Sequence, residues 1–276
     1  MRRYLAAVAV AALAMLTTLG ALVAPAQAAG TGTVSILHAV PGLTVDVYAN
    51  GQKLLSDFKP GTLTKPQMLP AGSYDIKIFA AGKGPAGTPA IEADGVKVAA
   101  GVNATIVAHL TAAGKPTASV YVNDVSMIAA GKARLIVRHD AAAPAVDVRA
   151  NKSALLKGLT NPKQAAAIVP AATYSADVVL AGTSTVAIGP ADLMLAEGTT
   201  TIVYAWGSAT DKNLKLAVQT ISGMNGGAGV NGGEAGLAAQ ADHSTPVAML
   251  GGMVTLGAAA TVALTVVRRR SVTVGR

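Results

Sequence analysis

Two stretches of this sequence read almost alike: Val45-Asp46-Val47-Tyr48-Ala49-Asn50 and Val146-Asp147-Val148-Arg149-Ala150-Asn151. In both, valines alternate with other residues, so that every second side chain points to the same side of the chain. A period of two predicts a β-strand with one buried and one solvated face. This alternation, with Asp46 and Asp147 expected on the solvated face, decides the fold class.

The order of the neighbouring segments is also repeated, which indicates a domain duplication rather than a short solenoid repeat. The matching pairs are Val34 to His38 with Leu135 to His139, Leu69 to Tyr74 with Val169 to Tyr174, and Thr105-Ile106-Val107 with Thr201-Ile202-Val203.

The residues after the two valine strands predict different turns. Asn50-Gly51 is a strong signal for a tight hairpin, because both residues readily take positive φ. The second copy has Asn151-Lys152 at this place. We therefore expect its turn to be looser or of another type.

Short strands separated by Gly, Pro and Asn predict antiparallel sandwiches. The expected fold class is all-β: two tandem immunoglobulin-like antiparallel β-sandwiches plus one C-terminal transmembrane helix. The sandwiches are predicted over residues 33–125 and 132–223. Only residues 126–131 lie between them, which limits their relative motion.

The beginning of the chain has the three parts of a secretory signal. Arg2 and Arg3 precede an apolar run from Leu5 to Val23, which closes on Ala26-Gln27-Ala28. Residues 1–28 are therefore predicted to be a cleaved signal peptide. A retained N-terminal anchor is the alternative.

Near the other end, residues 247–267 contain no charged residue and are followed by Arg268-Arg269-Arg270. As a helix this segment would be about 31 Å long, which matches a bilayer core. The arginines mark the cytoplasmic side. The sequence thus predicts a single-pass cell-membrane protein with extracellular N-terminal domains, a glycine-rich stalk at 224–246 and a cytoplasmic tail at 268–276.

Composition excludes several functions. The formal net charge is +8 and the isoelectric point about 9.8, but much of the basic excess lies at the two ends and no basic block occurs between them. A nucleic-acid partner is therefore not expected. The absence of cysteine removes disulfides, thiol catalysis and cysteine zinc sites.

The repeated residues resemble a bacterial family, the domain of unknown function numbered 4397. The first copy has its pattern in His38, Pro41, the strand Val45 to Tyr48, Asn50-Gly51 and Leu69 to Tyr74. The second copy departs from it at Lys152, Arg149 and Ala172. The resemblance implies an extracytoplasmic, immunoglobulin-like sandwich, usually in tandem, and no known catalytic residues. The repeated positions that we expect to be structural are His38, Asp46, Pro70, Tyr74, His139, Asp147, Pro170 and Tyr174.

These positions are expected to act locally. His38 and His139 each follow two core residues and should lie at the rim of their own cores, with one ring nitrogen bonded to the backbone of the next loop, which contains proline. The phenols of Tyr74 and Tyr174 should bond back to nearby backbone, as in a tyrosine corner. Asp46 and Asp147 are predicted to be solvated or locally paired, with calcium binding as the less favoured alternative.

No motif for catalysis is present: the chain lacks G-x-S-x-G and H-E-x-x-H. No cofactor or metal is expected. A sugar site would need an aromatic platform, and we expect Trp206 to lie in a core or at a rim. The predicted function is a non-enzymatic surface protein that binds or organises an unidentified envelope protein or glycan. The alternative is a sugar- or ligand-binding sensor ectodomain that acts through a partner membrane protein.

Overall fold

The alternating segments form strands. The computed structural model describes residues 30–224, which build two β-sandwiches of eight strands each. The first sandwich contains β1 (Thr31–His38), β2 (Val45–Ala49), β3 (Gln52–Phe58), β4 (Gln67–Pro70), β5 (Gly72–Ala80), β6 (Ile91–Val98), β7 (Asn103–Leu110) and β8 (Pro116–Val122). The second contains β9 (Lys132–Ala142), β10 (Val146–Ala150), β11 (Ser153–Leu159), β12 (Gln164–Pro170), β13 (Ala172–Leu180), β14 (Val186–Leu195), β15 (Thr200–Ser208) and β16 (Lys215–Ile221).

Each sandwich pairs two four-stranded sheets of the same topology. One sheet has the order β4-β1-β7-β8 in the first copy and β12-β9-β15-β16 in the second; we call these the inner sheets. The other has the order β3-β2-β5-β6 or β11-β10-β13-β14, and these are the outer sheets. Strand pairs are antiparallel except β1 with β7 and β9 with β15, which are parallel. The expected all-β class is confirmed for the described residues.

The cores follow from the period of two. Val34, Ile36, Val45 and Val47 are buried in the core of the first sandwich. Their counterparts in the second copy occupy its own core, namely Leu135, Val137, Val146 and Val148. Large aliphatic side chains on facing sheets thus remove apolar surface from water separately in each domain.

The expectation for the second hairpin turn is wrong. Asn50 and Gly51 have φ of 49° and 77°, and Asn151 and Lys152 have φ of 51° and 66°, so both turns use two residues in the left-handed region. The asparagine explains why the turn persists without glycine. Its Oδ1 accepts the backbone N–H of Asp75 (2.8 Å) in the first copy and of Ser175 (3.0 Å) in the second, which ties the turn to the adjacent strand.

The alignment of β7 with β15 that the identical Thr-Ile-Val triplets suggest is wrong by one residue. Ser35 pairs with Thr105, whereas Ile136, its counterpart in the second copy, pairs with Ile202. Thr105 therefore corresponds to Ile202 and not to Thr201. A shift of one residue moves every side chain to the opposite face of a sheet, and the identical Thr-Ile-Val triplets conceal this.

The two sandwiches pack face to face through their inner sheets. A third apolar cluster lies between them and draws on both domains: Leu37, Ala39, Val107, Tyr121, Ile136, Ile202, Tyr204 and Trp206. The connection is also fixed, because Ile128 is 1% exposed and its N–H donates to the carbonyl of Met224 (2.7 Å). The packing and the short connection together make one body of the two domains.

Strand direction gives this body two different ends. Gly30, Met224 and the connection at 126–131 lie together at what we call the terminal end. Every connection from an odd-numbered strand to the next even-numbered one lies at the opposite loop end. The domains share this polarity, because Asn161 in a loop of the second domain donates to the carbonyl of Leu110 at the end of β7 (2.8 Å).

No helix within residues 30–224 is long and apolar enough to cross a bilayer, and the one helical element there is a 3₁₀ turn at Gly84–Ala86. The predicted signal peptide at 1–28, the stalk beyond Met224, the predicted membrane helix at 247–267 and the tail at 268–276 lie outside the described residues.

The two hairpin turns give a paired prediction. Lys152→Gly should stabilise the protein by about 1 kcal/mol, because glycine takes positive φ without the steric cost that a side chain carries. Gly51→Lys should destabilise it by a similar amount, since a Cβ on Gly51 meets no heavy atom within 4 Å and only the backbone conformation is penalised. Urea unfolding measures both, and a loss of stability in Lys152→Gly would contradict the argument.

Candidate functional site

The repeated histidines hold the loops that follow β1 and β9. His38 is 1% exposed, and its Nε2 lies 2.6 Å from the carbonyl oxygen of Leu43. Burial lowers the pKa of His38, an effect partly offset by this bond, so that the neutral ring donates from Nε2. Its Nδ1 accepts the N–H of Val40 (3.4 Å), and the ring stacks on Phe58 with 5.8 Å between centroids.

His139 repeats only part of this arrangement. Its Nε2 lies 2.9 Å from the carbonyl oxygen of Pro144, so that it also holds a loop that contains proline. Its Nδ1 is buried and has no hydrogen-bond partner among the described residues. Both rings lie inside their own cores rather than at the rim, and the structure does not bring them together.

The repeated aspartates tie a strand bulge to a loop. Asp46 accepts the N–H groups of Asp57 (3.0 Å) and Gly82 (3.3 Å), and Asp147 accepts those of Gly158 (2.7 Å) and Gly182 (2.9 Å). The donors are at equivalent places in the two copies. This is the locally paired carboxylate that the sequence predicts, and neither aspartate converges with other carboxylates as a calcium site requires.

The environments of the two aspartates differ. Asp46 is 2% exposed and also accepts from Lys53 Nζ (2.9 Å), so its placement on a solvated face is wrong. The ammonium of Lys53, followed by the N–H of Asp57, holds the pKa of Asp46 below its ordinary value. Asp147 is partly exposed, and the N–H groups of Gly182 and Gly158 lower its pKa.

The tyrosines bond back to the turns that precede them. The hydroxyl of Tyr74 donates to the carbonyl of Pro70, and that of Tyr174 donates to the carbonyl of Pro170, both at 2.8 Å. Each bond joins residues four apart across the turn between two strands of different sheets. The geometry is that of a tyrosine corner.

The family comparison covers the repeated residues of the first copy, and His139 and Asp147 of the second. The model described as domain of unknown function (DUF4397) matches residues 32–149. Residues 32–149 match this family, as the repeated residues predict. The match begins in β1 and ends in β10, so that it takes in the whole first sandwich and the first two strands of the second. No curated protein matches the chain.

A buried polar network between the two sandwiches was not predicted from the sequence. At its centre is Arg138, whose side chain is 0% exposed. Its Nε donates to Gln164 Oε1 (2.9 Å), its Nη1 to the hydroxyl of Tyr204 (2.7 Å) and its Nη2 to Asn123 Oδ1 (2.8 Å). The guanidinium carbon also lies 4.3 Å from the ring centroid of Tyr121, a cation–π distance.

Further bonds carry the network across the domain boundary. Gln219 of the second domain accepts from the hydroxyl of Thr105 (3.0 Å) and donates to Ser35 (3.4 Å), both in the first domain. The hydroxyl of Tyr121 donates to Asp140 Oδ1 (2.6 Å). Burial, and then the nearby carboxylate, raises the pKa of Tyr121, which keeps the phenol a donor.

Three residues in this network have the composition of a catalytic triad but not its geometry. His109 Nε2 lies 2.8 Å from Ser119 Oγ and 3.9 Å from Asp140 Oδ1, and its Nδ1 lies 2.8 Å from the carbonyl oxygen of Leu110. In a triad the carboxylate and the nucleophile occupy opposite ring nitrogens. Here both face Nε2, and His109 is 0% exposed.

The burial of the Asp140 carboxylate is electrostatically unfavourable. Its side chain is 0% exposed and Oδ2 has no hydrogen-bond partner among the described residues. Burial therefore raises the pKa of Asp140, and neighbouring His109, Tyr121 and Arg138 only partly oppose this. The first copy has Ala39 at the equivalent place, so this cost is confined to the second.

The cavities of the second sandwich are too small for a ligand. Two apolar cavities of about 40 Å³ each lie there, one lined by Ala176 and the other by His139. Small-molecule sites enclose about 300–1,000 Å³. Ala176 pairs with Ala150 where the first copy pairs Ile76 with Ala49, which explains the first cavity. Within residues 30–224 no group of three or more His, Cys, Asp and Glu side chains could hold a metal.

The histidines give a stability prediction. His38→Ala should cost about 1–3 kcal/mol, through lost packing and an unpaired carbonyl of Leu43. His139→Ala should cost less, because its ring makes one hydrogen bond and its Nδ1 has none to lose. Thermal unfolding compares the two variants. Unchanged stability in both would show that the histidines do not hold the loops.

Asp140 gives a prediction about pH. Because the pKa of Asp140 is raised in the folded protein, Asp140 contributes its full stabilisation at pH values below the ordinary carboxyl pKa. This stabilisation is lost as the pH rises through the pKa of the folded state. Asp140→Asn removes this titration, and Asn Oδ1 can still accept from Tyr121. The variant should therefore gain stability relative to the parent as the pH rises from about 4 to 7.

Asp147→Asn serves as the control, because the lowered pKa of Asp147 has the opposite consequence. Its contribution is present above the ordinary carboxyl pKa and is lost as the pH falls, so this variant should lose stability relative to the parent as the pH rises. Urea unfolding at several pH values measures both slopes. Slopes of the same sign would contradict the assignment for Asp140.

Proposed function

We propose that this chain is an exported, single-pass cell-membrane protein whose two immunoglobulin-like sandwiches bind or organise an envelope protein or glycan without catalysis. The observation that supports it best is the buried network around Arg138, which makes one body of the two domains. A fixed two-domain body suits a module that presents a surface at a constant distance and angle.

The polarity of the body fits a C-terminal anchor. Met224 lies at the terminal end, so a membrane helix at 247–267 would hold that end towards the bilayer and direct the loop end away from it. The stalk at 224–246 would separate body and membrane. The inner sheet faces are covered by each other, which leaves loops, edges and outer faces for a partner.

The sugar-binding form of the sensor alternative has less support. Sugar recognition usually needs an exposed aromatic ring. Trp206 is 4% exposed, Phe79 3% and Tyr48 7%, and the partly exposed Tyr74 and Tyr174 are each bonded to their own turn. The adhesion or scaffold role, which needs no such ring, is therefore the better proposal.

Truncation after Pro246 tests the anchor. The full chain should fractionate with membranes and be cut by protease added to intact cells, whereas the truncated chain should appear folded in the medium. When added back to cells that lack the full chain, the truncated protein should bind the envelope fraction. Recovery of the truncated chain in membranes would overturn the anchor, and failure to rebind would overturn the binding role.

A further inference from the structure

Lysines that are scattered along the sequence come together at the loop end. They lie in or beside connections of both domains, and all are exposed. They are Lys59, Lys65, Lys83, Lys115, Lys157, Lys163, Lys212 and Lys215. No two of them are adjacent, so they do not form a basic block in the sequence.

The lysines form one surface across the domain boundary. Asn161 donates to the carbonyl of Leu110 (2.8 Å), which places the loop of Lys163 beside the loop of Lys115. On the other side of the boundary, Lys215 Nζ lies 5.8 Å from the ring centroid of Trp206. A Cβ built on Gly61 would lie 3.0 Å from the same ring, so the segment that follows Lys59 also belongs to this surface.

Few acids oppose this charge. The exposed acids at the loop end are Asp57 and Asp211, against the eight lysines, and the exposed Glu92 beside it is paired with Lys77. Asp46 is buried, and Asp147, which is partly exposed, accepts hydrogen bonds from two backbone N–H groups. The terminal half is nearly balanced, because its five exposed acids, Asp75, Asp94, Asp124, Asp192 and Glu197, are accompanied by Lys53, Lys97, Lys132 and Lys152. The positive excess of the body is therefore concentrated at the loop end, and a surface of one sign attracts ligands of the other.

The side chains on this surface favour recognition of negative charge over recognition of nucleic-acid bases. Lysine is a compact point charge, whereas bidentate recognition of bases and single phosphates favours arginine. Binding to single-stranded nucleic acid also uses exposed aromatic rings for stacking. The rings near the loop end, Phe58, Phe79 and Trp206, are buried.

We propose that the loop end binds a flexible, linear polymer with repeated phosphate groups and without bases. This inference rests on the proposed function, for which it names the chemical class of the envelope component. Flexible ammonium groups on both domains can each meet one phosphate along such a chain. Binding releases counterions, so the affinity should fall steeply with salt.

The test uses the purified full chain in neutral detergent and long-chain inorganic polyphosphate as the probe. Replacing Lys59, Lys115 and Lys163 by Gln should weaken binding about 10- to 100-fold at about 0.1 M salt and reduce the slope of log affinity against log salt by about 2. The matched control replaces Lys97, Lys132 and Lys152, at the terminal end, by Gln. It removes the same charge and should change the affinity less than about twofold.

Each result is decisive. Equal losses in the two triple variants, with both folded by thermal unfolding, would overturn the proposal, because net charge rather than the loop end would then bind the probe. No salt-dependent binding to polyphosphate, tighter binding to polyglutamate, or tighter binding to duplex DNA would also overturn it. None of these results affects the outcome of the fractionation and rebinding experiment. The phosphate-polymer proposal can therefore be wrong while the proposed surface role is still correct.

Discussion

The burial of one guanidinium constrains the arrangement of both domains. Arg138 cannot lose its proton at ordinary pH, and a buried charge without partners costs several kcal/mol. Its partners Gln164 and Tyr204 come from its own domain, but Asn123 and the ring of Tyr121 come from the other. The arginine is therefore satisfied only while the two inner sheets remain packed together, and separating them leaves paired groups unpaired on both sides.

The two copies have diverged where they meet. Arg138 and Asp140 stand where the first copy has Leu37 and Ala39. Two second-copy sheets packed face to face would oppose two buried arginines, whereas a first-copy sheet offers Asn123 and Tyr121 instead. The substitutions thus favour pairing of unlike copies. A charge that adds little net stability can in this way select one arrangement.

The local anchors were predictable because each depends on residues close in sequence or on a repeated pattern. The bonds from Tyr74 to Pro70 and from His38 to Leu43 span only four and five residues. Asp46 is a partial exception. Its pairing was expected, but its burial depends on Lys53 and on the loop at Gly82, which approach it only in the folded sheet.

The all-β class, the duplication and the residues of the two cores follow from the amino-acid sequence alone, because a period of two and a repeated motif are local properties of the chain. The sequence did not show which residue of β15 corresponds to Thr105. The identical triplets Thr105-Ile106-Val107 and Thr201-Ile202-Val203 suggest Thr201, whereas the strand pairing shows that it is Ile202. The interior position of Arg138 and Asp140 depends on the packing of the domains, because their partner Tyr121 on β8 belongs to the other domain. The tertiary structure likewise gathers the lysines into one surface, because alternating strand direction sends every second connection to the same end of the body.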